Sequence, residues 1–201
     1  VLCRGLNRVP LSSLGGRGGV ERGDEIRGGE VAVVITGSGI SDNTSTKFAD
    51  TLGCSRPVAN RAIAPTGSIG ILAGTSTGVE PIFAVAYKRR YLKGNSRWVY
   101  QYVVDSAAQT LIDRYGAQPD NVESALDLAE DYERRMAFQA DVQDYVDMSI
   151  SSTINLPSWG SKLNNEGTVD KFANTLAKYA PRLRGFTCYP DGSRAQTTSR
   201  T

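Results

Sequence analysis

Histidine is absent from the 201 residues of this chain. That single absence removes Ser-His-Asp triads, Cys-His dyads, His-ligated zinc and any imidazole general base. Cysteine is scarce, with Cys3, Cys54 and Cys188 scattered along the sequence. Three thiols so spaced build neither a disulfide framework nor a CxxC metal site, and each reads as a small buried hydrophobe. An excess of charge of one sign is also missing, because 23 Lys and Arg stand against 21 Asp and Glu. No global field recruits nucleic acid or acidic membranes, so neither is expected as a partner. Long apolar runs are missing too. The longest aliphatic stretch is Val31-Ala-Val-Val-Ile35, far short of the roughly 20 residues of a membrane span. The composition describes a soluble, cytoplasmic chain, long enough for one core or for a piece of something larger.

Aromatic residues are lacking before Phe48, whereas ten of the 21 glycines fall within residues 1–40. Glycine loses the most backbone entropy on ordering, and few large apolar groups in that stretch offset the loss. Residues 1–40 therefore read as a Gly-rich leader of uncertain order. Its Gly-Arg alternation suggests an RNA-binding segment, but the arginines alternate with acids and no aromatic is available for base stacking. Val31–Thr36 is the one candidate strand there, bounded by Gly37-Ser-Gly39. With no initiating Met and no signal-peptide pattern, the start reads as a fragment boundary.

Residues 41–194 carry the pattern of a folded domain, followed by a divergent tail at 195–201. Thr44 is placed to cap a short helix to Leu52, stopped by Gly53. Val58–Ala64 reads as a buried strand entering Pro65. Gln101–Tyr115 has apolar positions 103, 104, 107, 108, 111, 112 and 115 on one helical stripe, closed by Gly116. Pro119-Asp-Asn-Val-Glu starts a second helix and Tyr132 to about Met148 forms a third. Thr168 caps a fourth, with Phe172, Ala173, Leu176, Ala177 and Ala180 on one face and Pro181 at its end. Arg184–Tyr189 reads as a strand entering the turn Pro190-Asp-Gly192. The fold class is α/β, with sheet strands far apart in sequence.

Chemistry concentrates in Ala62-Ile-Ala-Pro-Thr-Gly-Ser-Ile-Gly-Ile-Leu72. A strand ending at Pro65 followed by a helix leaves the N–H groups of Gly67, Ser68 and Ile69 at the helix start. The hydroxyls of Thr66 and Ser68 add donors, and Gly67 allows close approach, which is how a protein holds phosphate without a basic side chain. No Gly-Lys-Ser/Thr follows, so this is not a Walker A loop. The same residues also suit an ordinary strand-to-helix turn with a Ser or Thr cap. Glu80, before Pro81, has the chemistry of a base, but a carboxylate satisfied at a turn is the commoner arrangement.

Ala62–Phe83 resembles the substrate-phosphate loop and following segment of ribonucleotide reductase large chains. Three more stretches fit that family in order: Ala84-Val-Ala-Tyr-Lys-Arg-Arg90, Val146-Asp-Met-Ser-Ile-Ser-Ser-Thr-Ile-Asn-Leu-Pro157 and Leu183-Arg-Gly-Phe-Thr-Cys-Tyr-Pro-Asp-Gly-Ser-Arg194. The Thr-Gly-Ser loop and the Tyr-Pro-Asp-Gly-Ser-Arg ending look more like the adenosylcobalamin-dependent members, phage and bacterial, than the iron-dependent ones. The resemblance implies part of a ten-stranded α/β barrel that reduces ribonucleotides to 2′-deoxyribonucleotides by a radical mechanism. It implies that Ala64, Pro65, Thr66, Gly67, Ser68 and Ile69 grip the substrate di- or triphosphate. It also implies a structural role for Ser149–Asn155 nearby, adenosylcobalamin as cofactor of the intact enzyme, and a thiol reductant.

The family's radical cysteine lies on a finger loop in an Asn-x-Cys-x-Glu pattern upstream of the phosphate loop. None of Cys3, Cys54 and Cys188 stands in such a pattern. After Arg194 the sequence runs Ala-Gln-Thr-Thr-Ser-Arg-Thr201, unlike the Gly-Gly-Gln-Pro continuation of the family. The expectation is a reductase fragment that binds substrate phosphate but is inactive alone, does not bind the cobalamin by itself, and needs the remainder of the enzyme. The alternatives are a non-catalytic nucleotide-phosphate-binding module, an interaction subunit of a split reductase, or a remnant without ligand.

Overall fold

The computed structural model describes residues 22–74, 77–94 and 97–193. The tail at 195–201 and the first half of the proposed leader lie outside the described residues, as does Cys3. In chain order the elements are α1 (Arg22–Leu52), α2 (Gly67–Ala73), β1 (Ala86–Lys93), β2 (Arg97–Val104), α3 (Ser106–Tyr115), α4 (Tyr132–Gln143), β3 (Thr153–Leu156), α5 (Val169–Tyr179) and β4 (Thr187–Pro190). Single 3-10 turns punctuate the loops at Pro119–Asn121, Asp127–Glu130, Glu166–Thr168 and Ala180–Arg182.

The described strands form two separate pairs. β1 and β2 make an antiparallel hairpin, and β3 and β4 a parallel pair with Thr153 opposite Thr187. The segment at Ile63 adds a parallel bridge to Ile150. Its hydrogen bonds run Met148 N–H to Arg61 O, Ile63 N–H to Ser149 O and Ser151 N–H to Ile63 O. Along a strand, N–H and C=O groups of odd and even residues face opposite edges. Ile63 therefore lies against the odd-numbered edge of 149–156, and β4 against the even-numbered edge. The α/β class holds. Closure into a ten-stranded barrel is not seen among the described residues.

α4 is the centre of the packing. Its Phe138 and Val142 meet Val79, Val146 and Ile150, with Ile63 against them. On another side Met136 packs on Ile154 and Leu156, flanked by Tyr132, Phe172, Leu176, Phe186 and Cys188. A third cluster joins Ile82 to Ala108, Leu111, Ala117 and Val122. A helix buried on several sides must satisfy its polar groups internally. Arg135, Gln139 and Gln143, spaced one turn apart and all buried, do so in large part against the neighbouring loops, although Arg135 Nη1 and Gln139 Oε1 find no hydrogen-bond partner among the described residues. Arg135 donates to Val79 O and Ser152 Oγ, Gln139 to Gly185 O, and Gln143 to Val146 O and Met148 O. Gln143 Oε1 also accepts from Arg184 N–H.

Several sequence expectations change in detail. Val31–Thr36 is helical, inside α1. A β-branched run specifies a strand only when another edge accepts its N–H groups, and no described strand lies beside it. Only residues 61–63 of the expected 58–64 strand are paired, and Val58 is fully exposed. Gln101–Val104 belongs to β2, and α3 begins at Ser106 because Asp105 Oδ1 accepts from Ala107 N–H and Ala108 N–H at 2.8 and 3.2 Å. Gly116, at φ 65°, ends that helix as expected. Pro119 opens a 3-10 turn rather than a full helix, and α4 stops at Gln143. The cap before α5 sits further upstream than Thr168. Asn165 Oδ1 accepts from Gly167 N–H, and Thr168 Oγ1 accepts from Asn165 N–H. Cys54, expected to be buried, is exposed just past the end of α1. Cys188 is partly buried, and that burial pushes its thiol pKa up.

Candidate functional site

The segment leading into the 64–69 loop is held by one side chain. Arg61 donates through Nη1 to Asp42 Oδ1 at 2.6 Å, to Ser38 O at 3.1 Å and to Ser41 Oγ. Its Nε reaches Tyr145 O at 2.9 Å, and Nη2 reaches Asp147 Oδ1 at 3.0 Å. Asp147 Oδ2 accepts in turn from the N–H groups of Asn60 and Arg61. α1, the loop and the segment after α4 thus meet on one guanidinium, which suits the planar fork of Arg. The hydrogen bond from Arg61 holds the Asp42 carboxyl below its usual pKa, and Asp42 raises that of Arg61.

Past the bridge at Ile63 the chain turns outward. Ala64, Pro65, Thr66, Gly67, Ser68 and Ile69 are all exposed. Thr66 has φ 32°, the one non-glycine residue with positive φ among the described residues. The first backbone bond of α2 is Gly70 N–H to Thr66 O at 2.8 Å. The N–H groups of Gly67, Ser68 and Ile69 therefore form the opening turn, where a helix lacks internal acceptors. A Cβ at Gly67 meets nothing within 4 Å, so the approach to that turn is open. The six residues form one exposed turn whose donors are backbone amides, with no basic side chain in Ala62–Phe83.

Behind the loop, residues 78–80 press on the strand that carries Ser149–Asn155. Gly78 has φ 61°, and a Cβ there falls 2.6 Å from Ser151 O. Val79 N–H bonds that same oxygen at 3.2 Å. Glu80 Oε1 accepts from Thr153 N–H at 2.8 Å, occupying the place a neighbouring strand's carbonyl would take on the odd-numbered edge. Burial pushes the Glu80 pKa up, while the bond from Thr153 and the nearby Arg135 charge oppose the shift. Glu80 is thus the satisfied carboxylate of the blander sequence reading. Ser152, in the Ser149–Asn155 block, is buried against Arg135. Sequence reasoning missed Arg61, whose partners Tyr145 and Asp147 lie more than eighty residues away, and the polar row of α4, whose partners lie up to 56 residues away, because no local spacing announces them.

Residues 56–188 match the family described as the ribonucleotide reductase barrel domain. That span is about two thirds of the chain, contains the loop, the β1–β2 hairpin, α4 and β3, and ends within β4. The chain belongs to this family. Among similar proteins is a vitamin B12-dependent ribonucleoside-diphosphate reductase of Mycobacterium tuberculosis (strain CDC 1551 / Oshkosh), 29% identical over 153 residues, covering 66% of this chain and 21% of that protein. The vitamin B12-dependent ribonucleoside-diphosphate reductase of Thermoplasma acidophilum is 32% identical over 149 residues, 66% of this chain and 19% of that one. A putative adenosylcobalamin-dependent ribonucleoside-triphosphate reductase of Mycobacterium phage D29 is 27% identical over 186 residues, covering 77% and 26%. A crystal structure of a B12-dependent (class II) ribonucleotide reductase superposes with TM-score 0.60 at 17% identity, over 84% of this chain and 25% of that one. The chain spans about a fifth to a quarter of the length of these relatives.

The sequence has no histidine, and no group of three or more Cys, Asp or Glu side chains able to hold a metal ion occurs among the described residues. No helix among them is long and apolar enough to cross a membrane.

Proposed function

We propose that this chain is a portion of the catalytic barrel of an adenosylcobalamin-dependent ribonucleotide reductase, and that Ala64, Pro65, Thr66, Gly67, Ser68 and Ile69 hold the di- or triphosphate of the ribonucleotide. The observation that carries the reading is the exposed opening turn of α2, pinned at its base by Arg61 and lying within the family match. Amide dipoles at such a turn favour an anion, and Gly67 leaves room for phosphate oxygens to reach the backbone. The loop has no cation, so affinity for phosphate rests on how many amides converge and on how rigidly they are held. In the intact enzyme the cofactor supplies the radical, a thiol reductant restores the cysteines, and other parts of the barrel carry the thiyl chemistry.

Calorimetric titration of the full chain with ribonucleoside di- and triphosphates tests the loop. The expected result is binding that Gly67→Val and Ser68→Pro both abolish, with chemical-shift changes at the amides of residues 67–69. Binding indifferent to both substitutions removes the assignment. The chain alone, given adenosylcobalamin, nucleotide and a dithiol, is expected to form no deoxyribonucleotide, because its sequence holds no Asn-x-Cys-x-Glu.

A further inference from the structure

The β1–β2 hairpin takes no part in the phosphate site, and its chemistry differs from the rest of the chain. Residues 86–104 hold five basic residues (Lys88, Arg89, Arg90, Lys93 and Arg97) and no acidic one. Since the formal net charge of the whole chain is +2, the remainder is net acidic and the positive charge is concentrated on this ribbon. The register places Lys88 opposite Tyr102, Arg90 opposite Tyr100 and Leu92 opposite Trp98. One face therefore carries Trp98, Tyr100 and Tyr102 in a row on β2, with Lys88 and Arg90 alongside on β1.

The three rings are 50%, 58% and 70% exposed. Large aromatic groups in a row on a surface mark a recognition face rather than a core. Alternate residues of a strand are about 6.8 Å apart, close enough that successive bases of an extended strand reach successive rings. Lys88 Nζ lies 4.9 Å from the Tyr100 centroid and 5.6 Å from that of Tyr102, and Arg90 Cζ lies 4.4 Å from that of Trp98. Those cations lie over the rings, so positive charge and aromatic surface share one face of the ribbon. A polyanion running along the ribbon would lay its phosphates on the cationic strand and its bases on the aromatic strand, the arrangement used by proteins that bind single strands without sequence preference.

We propose that this hairpin face binds single-stranded nucleic acid. An acidic peptide matches the charge but not the run of three rings, and duplex DNA hides its base faces. The balanced charge of the whole chain gives no hint of such a site; the local charge and the ring spacing do.

The test is fluorescence anisotropy of the full chain with labelled oligothymidylate of about 20 nucleotides, compared with a duplex of the same length and with polyglutamate. Tyr100→Leu and Tyr102→Leu keep side-chain bulk while removing the ring, and each is expected to weaken binding about tenfold; Tyr102→Phe is expected to retain it. Lys88→Gln should lower the salt dependence by about one released counterion. In a Trp159→Phe background Trp98 is the remaining tryptophan, and its emission is expected to be quenched by the oligonucleotide in the same concentration range. The proposal is overturned if the single strand does not bind, if duplex or polyglutamate binds equally well, or if the leucine variants bind as the parent does.

Discussion

Gly78 offers the sharpest test of the packing behind the 64–69 loop. Substitution by alanine has two separable costs. A side chain at φ 61° is strained by about 1–2 kcal/mol relative to glycine. The new Cβ would also lie 2.6 Å from Ser151 O, a backbone atom that cannot rotate away, and forced displacement of packed groups costs roughly 1–3 kcal/mol. The same oxygen accepts from Val79 N–H, so moving it weakens a bond as well. The total is about 2–5 kcal/mol, a large share of the ~5–15 kcal/mol by which a domain is stable. Gly116 is the control. Its φ of 65° imposes similar strain, but nothing lies within 4 Å of its Cβ position, so Gly116→Ala is expected to cost only that strain, about 1–2 kcal/mol. Urea unfolding of both variants, followed by tryptophan emission and by far-ultraviolet circular dichroism, gives the comparison. Equal destabilisation of the two would refute the argument, because the steric part would then be nil.

Two further perturbations probe the site's supports. Arg61→Ala removes a side chain that bonds two carboxylates and two carbonyls; it is expected to cost about 2–3 kcal/mol and to speed hydrogen exchange at the amides of 60–63, whereas unchanged exchange would deny Arg61 its clamping role. Glu80 has a folded pKa raised by burial, so the unfolded chain releases that proton first and stability falls as pH rises from the ordinary Glu range through the raised value. Glu80→Gln keeps an acceptor for Thr153 N–H without the charge, so the parent should lose stability relative to it between acid and neutral pH; a gain would show that Arg135 outweighs desolvation.

How much of this was legible in the sequence depends on how local each signal was. The end of α3 at Gly116, the start of α4 after Asp131, the amphipathic α5 and the strand Thr187–Pro190 all rest on neighbours within a few residues, and periodicity or capping reveals them. The hairpin did not announce itself. Lys88, Arg89 and Arg90 mask the alternation of β1, while Val103 and Val104 fall equally well on the stripe of the following helix. Asp105 breaks that tie by capping, and cross-strand pairing settles it. At 64–69 the residues were readable as a turn before a helix, but the anchorage of that turn was not. Arg61 finds Asp147, and Glu80 finds Thr153, only after the chain has folded back over seventy or more positions.

The polar row on α4 has a consequence for how the loop keeps its place. Arg135, Gln139 and Gln143 engage Val79, Gly185 and the 146–148 turn, three stretches belonging to different passes of the chain. Turning the helix by one residue swings it about 100° and would disengage all three together, so intermediate settings have no partners to hold them. α4 behaves as a key cut for one lock position. Because Met148 N–H continues directly into the pairing with Arg61, the setting of α4 also fixes the segment that enters the 64–69 turn.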